Sequence, residues 1–191
     1  RLVPVAQDLI EACELKADAP KFEVPVFKKD PYHYERRETS VVKIAGVEIG
    51  GTNPVKVGVK ADAVSLTGER RGPEFALAGF DGVGANIVTF KDAMDVAGFA
   101  ANPSAVPAGS IFCYTVSDMV YGVRALASAL AAADRKDPIL LYAKIGSSDK
   151  DMLRVSADFG SLLTDGLGDA VVIDGYKSAK DSVALAFDIL Q

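Results

Sequence analysis

From Thr39 onward, short runs of apolar and β-branched residues alternate with longer stretches whose apolar positions recur at helical spacing. Residues 41–44 and 47–49, parted by Ala45-Gly46, predict a hairpin. Gly50-Gly51 and Asn53-Pro54 end it and lead into a strand over 55–59. Downstream, 74–80 (EFALAGF) is a short apolar run, 85–97 carries a weaker helical pattern, and 110–116 (SIFCYTV) predicts a strand. Asp118 heads an alanine-rich helix reaching Ala133, and 138–145 (PILLYAKI) is another strand. Asp149 offers a cap for a helix over 152–163, 169–174 (DAVVID) is a strand, and Ser178 caps a last helix over 179–190. The strands are apolar nearly throughout rather than alternating, as expected for parallel strands covered on both faces. Strand–helix alternation implies right-handed crossovers and an α/β class. About five parallel strands and an N-terminal β-hairpin predict a TIM-barrel-like fold. Because a full barrel takes about 250 residues, it is compact or incomplete.

The N-terminal part reads differently. Residues 4–16 (PVAQDLIEACELK) place Val5, Leu9, Ala12, Cys13 and Leu15 near one helical face, with Cys13 as a small core residue. Ala19-Pro20 and Pro25 then punctuate a mixed-charge stretch as far as Pro31, which reads as a linker. The organisation expected is a helix and linker over 1–30, then a barrel-like domain over 31–191. The chain starts at Arg1 and stops at Gln191 inside a helical pattern, as a piece of a longer protein would.

Composition narrows the chemistry. The chain has 191 residues, 49% hydrophobic and 25% charged, ordinary values for a globular domain. No run approaches the ~18 apolar residues of a membrane span, and no signal-peptide pattern is present. A net charge of −5 argues against nucleic acid and anionic membrane surfaces as partners. Cys13, Cys113 and the single histidine, His33, cannot make a four-ligand zinc site or a four-cysteine iron–sulfur site. His33 reads as a surface or loop imidazole, and the thiol usage suits a cytoplasmic setting.

Anion binding is the chemistry left to weigh. Gly79-Phe80-Asp81-Gly82-Val83-Gly84 comes after a predicted strand, but its spacing fits neither the dinucleotide fingerprint nor the P-loop. Gly146-Ser147-Ser148-Asp149 reads equally as an anion site at a helix N-terminus and as a capping turn. In a barrel, residues at the carboxyl ends of strands line the active site; here these are Lys60, Asp118, Lys144 and Asp174. Lys60 and Lys144 are the candidate anion-binding residues, with the carboxylates as partners or proton carriers. Helix caps and loop ion pairs are the alternative role. Arg36-Arg37, between Glu35 and Glu38, reads as a solvated ion-pair patch.

Three stretches resemble a known family. Glu35-Arg36-Arg37-Glu38-Thr39, with 42–57 (VKIAGVEIGGTNPVKV) after it, is similar to the N-terminal hairpin of 4-hydroxy-3-methylbut-2-enyl diphosphate synthases. Residues 156–169 (SADFGSLLTDGLGD) resemble the segment before that family's last barrel strand. Residues 187–191 (FDILQ) resemble the helix end after which its iron–sulfur domain begins, and Leu2–Leu9 the end of its catalytic barrel. The resemblance implies the large form of the family, in which a barrel-like domain is inserted between the catalytic barrel and the cluster domain. It further implies a parent oxidoreductase of the non-mevalonate isoprenoid pathway that reductively removes a hydroxyl from a cyclic methylerythritol diphosphate. Its cofactor would be a 4Fe–4S cluster held beyond Gln191, and its electrons would come from ferredoxin or flavodoxin. The partners would be the catalytic barrel and cluster domain of the same chain, in a bacterial cytoplasm or, in a plant, a plastid.

The family's active-site pattern does not carry over. Where its first strand continues into Gln-Ser-Met, this chain has Gly58, Val59 and Lys60. Where its last strand carries a diphosphate-binding arginine and serine, this chain has Val172 and Asp174. No residue of this chain is therefore expected in catalysis, cofactor binding or metal binding, and the domain is expected to be a spacer. Two rivals stand beside this: a phosphate- or pterin-binding barrel using Lys60, Lys144 and the Gly79–Gly84 loop, and an effector site kept in a degenerate barrel.

Overall fold

The first parallel strand of the domain lies beside the last, which is how a barrel closes. A computed structural model describes residues 33–60, 62–63, 71–77, 87–115 and 118–191. The predicted 4–16 helix, Cys13, the linker and the Gly79–Gly84 loop lie outside the described residues. The elements in chain order are β1 (Val42–Ile44), β2 (Val47–Ile49), β3 (Lys56–Lys60), β4 (Phe75–Leu77), β5 (Ile87–Phe90), α1 (Ala93–Ala101), β6 (Ile111–Tyr114), α2 (Met119–Ala132), β7 (Ile139–Lys144), α3 (Asp149–Thr164), β8 (Ala170–Asp174) and α4 (Ala179–Ile189). β1 and β2 form the antiparallel hairpin. The other six strands form one parallel sheet in the order β4-β3-β8-β7-β6-β5. The fold is an incomplete TIM-barrel-like α/β domain with an N-terminal hairpin, as expected from the pattern of apolar runs.

Alternation along each strand sorts the core into two layers. The outward residues, among them Val57, Val59, Phe112, Leu141, Val171 and Ile173, pack against the helices. The inward residues Phe75, Leu77, Ile111, Cys113, Leu140, Tyr142, Ala170 and Val172 fill the barrel, and Ile44 and Ile49 of the hairpin join them. The hairpin thus plugs the barrel interior.

Two expectations need correction here. Residues 85–97 are not one helix. The β-branched run Ile87–Phe90 pairs with β6, and the helix starts only after Asp92, whose carboxylate accepts the Asp95 N–H. That strand brings the parallel count among the described residues to six, against about five expected. Arg36-Arg37 is not a solvated patch. Arg36 donates to the Asp169 carboxylate (3.0 Å) and to the Asn53 carbonyl, while Arg37 donates to the carbonyls of Asp137 and Arg135 (2.8 and 2.7 Å). Asp169 is buried and also accepts from the Thr39 hydroxyl (2.8 Å) and the Ile139 N–H (2.9 Å). Buried Asp137 accepts from the N–H groups of Gly109 and Ser110 and from Arg135. These groups sit at the amino ends of the strands, the face of a barrel that reads as stability rather than chemistry. Of the outer pair, Glu38 does bond an exposed partner, Lys136.

The caps differ in detail. Ser178 caps α4 as expected, its hydroxyl accepting the Asp181 N–H. On α3 the cap is Ser148 rather than Asp149, because the Ser148 hydroxyl reaches the Asp151 N–H and the helix begins at Asp149, three residues before the expected start at 152. Asp118 stands at the start of α2 but makes no side-chain cap; its carboxylate instead accepts from the Tyr114 hydroxyl (2.9 Å). His33 is exposed in a loop.

Candidate functional site

The carboxyl ends of β3, β7 and β8 build the barrel mouth. In the pairing of β7 with β8, Tyr142 lies opposite Val172 and Lys144 opposite Asp174. In the pairing of β3 with β8, Lys56 lies opposite Ala170, and continuing that register brings Lys60 level with Asp174. Period-two alternation puts Lys60, Tyr142, Lys144 and Asp174 on the inward side of their strands. Asp174 therefore stands between two lysines carried by its neighbouring strands.

One of these lysines takes the carboxylate. Lys60 Nζ lies 2.6 Å from Asp174 Oδ2, and the Tyr142 hydroxyl donates to the same oxygen at 3.1 Å. The hydrogen bond to Asp174 pushes the Lys60 ammonium above its ordinary pKa. Burial, reinforced by the Asp174 charge, pushes the Tyr142 phenol up to about 12. Lysine stays charged and tyrosine stays protonated, so both remain donors to the one carboxylate across neutral pH. Below them the position beside Tyr142 is Val172, fully buried and apolar.

Lys144 is exposed and lines a cavity that Tyr142 also borders. This cavity of about 250 Å³ opens between the end of β7 and the helices α2 and α3, lined by Thr115, Lys144, Asp151, Arg154 and Asp158 among others. Its charges are of both signs, and Arg154 lies 3.9 Å from Asp158. The two candidate lysines thus flank Asp174, Lys60 engaged with it and Lys144 bordering this cavity. Asp118 belongs to neither group. Tyr142, Arg154 and Asp158 do not stand out in the sequence. Tyr142 is legible there only as the residue two before Lys144 on the same strand face; Arg154 and Asp158 need the packing of α3 on β7.

Thiolate chemistry finds no footing in these residues. Cys113 is fully buried in the inner layer, and burial pushes its thiol well above the usual range. A cluster ligand must be a thiolate, so the described residues do not fit an iron–sulfur cluster. Among them, no group of three or more His, Cys, Asp or Glu is placed to hold a metal ion. No helix among the described residues is long and apolar enough to cross a membrane.

Fold and mouth together define a barrel-like α/β domain whose strand-end charges close partly on one another. No family model matches the chain. It is 31% identical, over an alignment of 204 residues, to the 4-hydroxy-3-methylbut-2-en-1-yl diphosphate synthase (flavodoxin) of Akkermansia muciniphila. The alignment covers 100% of this chain and 34% of that protein. The chain spans about a third of the length of the curated relative it matches, and is a remote homologue of one part of that larger enzyme.

Proposed function

We propose that this chain is the inserted barrel-like domain of a large-form 4-hydroxy-3-methylbut-2-enyl diphosphate synthase and acts there as a rigid spacer without chemistry of its own. Residues 1–30 are the end of the preceding catalytic barrel and its linker, and 31–191 the inserted domain. The parent is the reductive dehydroxylase of the isoprenoid pathway, with its 4Fe–4S cluster beyond Gln191 and electrons from flavodoxin or ferredoxin.

The observation that carries this reading is the Lys60–Asp174–Tyr142 cluster. A diphosphate at this mouth would have to displace Asp174 from Lys60 and then lie beside the freed carboxylate. Like charges at about 4 Å repel by roughly 1 kcal/mol in water and about 4 kcal/mol near a protein surface. A packed α/β block also fixes the separation of its neighbours better than a flexible linker, whose end-to-end distance fluctuates. Positioning of this kind has large leverage on rate.

Two measurements test it. The coding sequence after Gln191 should supply Cys-x-x-Cys and a later third cysteine; an immediate stop codon counts against the reading. In the full-length enzyme, Lys60→Ala with Lys144→Ala should leave kcat/KM within about twofold, whereas replacing 31–191 by a Gly/Ser linker should lower kcat by at least tenfold. A tenfold loss in the double variant would sink the spacer role. The cavity beside Lys144 and Arg154 favours a second reading, an anionic small-molecule site. Saturable micromolar binding of inorganic pyrophosphate, abolished by Lys144→Ala, would select that reading instead.

A further inference from the structure

We infer that the face of the barrel opposite the mouth is where this domain meets the rest of the longer chain, because its two described ends, the segment 33–41 and the close of α4, lie there side by side. The inference rests on the inserted-domain reading and deepens it, because it says on which face the spacing is set.

The incoming chain is fixed to that face. The Arg37 N–H donates to the Gly166 carbonyl (3.0 Å), and the Ser40 N–H to the Lys136 carbonyl. The Arg36 and Arg37 guanidiniums grip the same two loops, which lead into β7 and β8. Gly166 has no room for a side chain there: a Cβ would lie 2.2 Å from the Glu35 carbonyl oxygen. The segment 35–40 therefore crosses the amino ends of β7 and β8 in one fixed path, and the hairpin continues it beneath the barrel interior.

The outgoing chain returns to the same face. β8 has five residues and rises about 16 Å toward the mouth. α4 has eleven and, packed on β8 and β3, runs back about 16 Å. Phe187, Ile189 and Leu190 still pack on the outer core, so the chain is held until it reaches the bottom. Incoming and outgoing segments then occupy adjacent sectors, beside β7–β8 and β8–β3, on the order of 10–20 Å apart given strand spacings near 4.8 Å and a layer spacing near 10 Å.

The surface at this face supports contact. Of the four exposed large apolar side chains among the described residues, two lie on the incoming segment: Tyr34, 66% exposed, and Val41, 51% exposed. The other two, Met94 and Tyr121, stand on the outward flanks of α1 and α2. The occupant is the remainder of the same longer chain, since the relative has about two-thirds of its length outside the matched part. The domain is then a block mounted from one side, with both neighbours at its base and the mouth turned away, rather than a strut joined at opposite ends.

Native lysines distinguish the faces without any substitution. Lys43 and Lys136 mark the bottom, and Lys144, Lys150 and Lys177 the mouth. Amine-reactive cross-linking of the full-length chain, read by mass spectrometry, should link Lys43 and Lys136 to segments on both sides of 33–191 at several times the yield of the mouth lysines. Carbodiimide labelling in the full chain should likewise spare Glu48 of the hairpin relative to Asp149 and Asp181. Links concentrated on the mouth lysines, or none from the bottom pair, would overturn the inference. A parent chain that lacks flanking domains would instead defeat the inserted-domain reading, so the two failures are separable.

Discussion

Cys113 shows how burial converts a side chain's titration into stability. The thiol sits at zero exposure in the inner layer, and desolvation raises its pKa. Below the ordinary thiol value of about 8.5, folded and unfolded chains both keep the proton. Above it the unfolded chain releases the proton while the folded chain retains it, so stability falls as pH rises, by up to about 1.4 kcal/mol per pH unit. Tyr142 has the same sign in a higher window: its pKa rises from the ordinary 10 to about 12, so its contribution is lost between those values. Urea unfolding monitored from pH 7 to 11 should show a decline that begins near 8.5. In Cys113→Ala the decline should begin only near 10, whatever the variant's stability at pH 7. An unchanged onset would show that the thiol is not what makes the fold alkali-sensitive.

Among the elements, β3 depends on a missing side chain. Gly58 faces the barrel interior, and a Cβ there would lie 2.4 Å from the Phe75 ring on β4, its partner in the parallel register. The ring fills the space that the glycine leaves, which brings β3 and β4 together over only three paired positions. Gly58→Ala should cost about 1–3 kcal/mol by overpacking. Phe75→Leu should cost about 1–3 kcal/mol of its own through lost burial and a partial cavity. Because each change relieves the other, the double variant should be less destabilised than the sum by at least about 0.5 kcal/mol in chemical denaturation. Strict additivity would mean that the two residues do not share this space.

For the molecule as a whole, the decisive contact is between the hairpin and the barrel interior. Ile44 and Ile49 are almost completely buried, and they join residues from four of the parallel strands. The ion pair of half-buried Arg36 with buried Asp169 and the Arg37 bonds hold the preceding segment so that the plug stays in register. Ile49→Asp places a charge against this apolar layer and should cost at least about 3 kcal/mol, combining lost burial with desolvation. Because the helices pack on the outer layer, the expected signature is a rise in binding of a hydrophobic dye with far-UV helix signal retained. Dye binding unchanged from the parent would argue that the hairpin does not close the interior.

Local pattern was enough for the strand–helix alternation, the hairpin, five of the six parallel strands among the described residues, and the Ser178 cap. Each rests on residues within a few positions of one another: β-branched runs, a glycine turn, a hydroxyl three residues before an amide. Local pattern also marked Lys60, Lys144, Asp118 and Asp174 as strand-end or helix-start charges. It misread 85–97, because Ile87–Phe90 is too short to show a period and becomes a strand only by pairing with β6. It misread Arg36-Arg37, whose acceptors, the Asn53 carbonyl apart, lie about a hundred or more residues away on loops the chain reaches only by folding. It could not say which lysine takes Asp174. That depends on the register of β3 against β8, strands separated by more than a hundred residues, and on the single oxygen at which Lys60 and Tyr142 meet. Propensity and periodicity are short-range and survive in the linear chain, whereas charge partners are set by which strands lie side by side, and that only the folded sheet supplies.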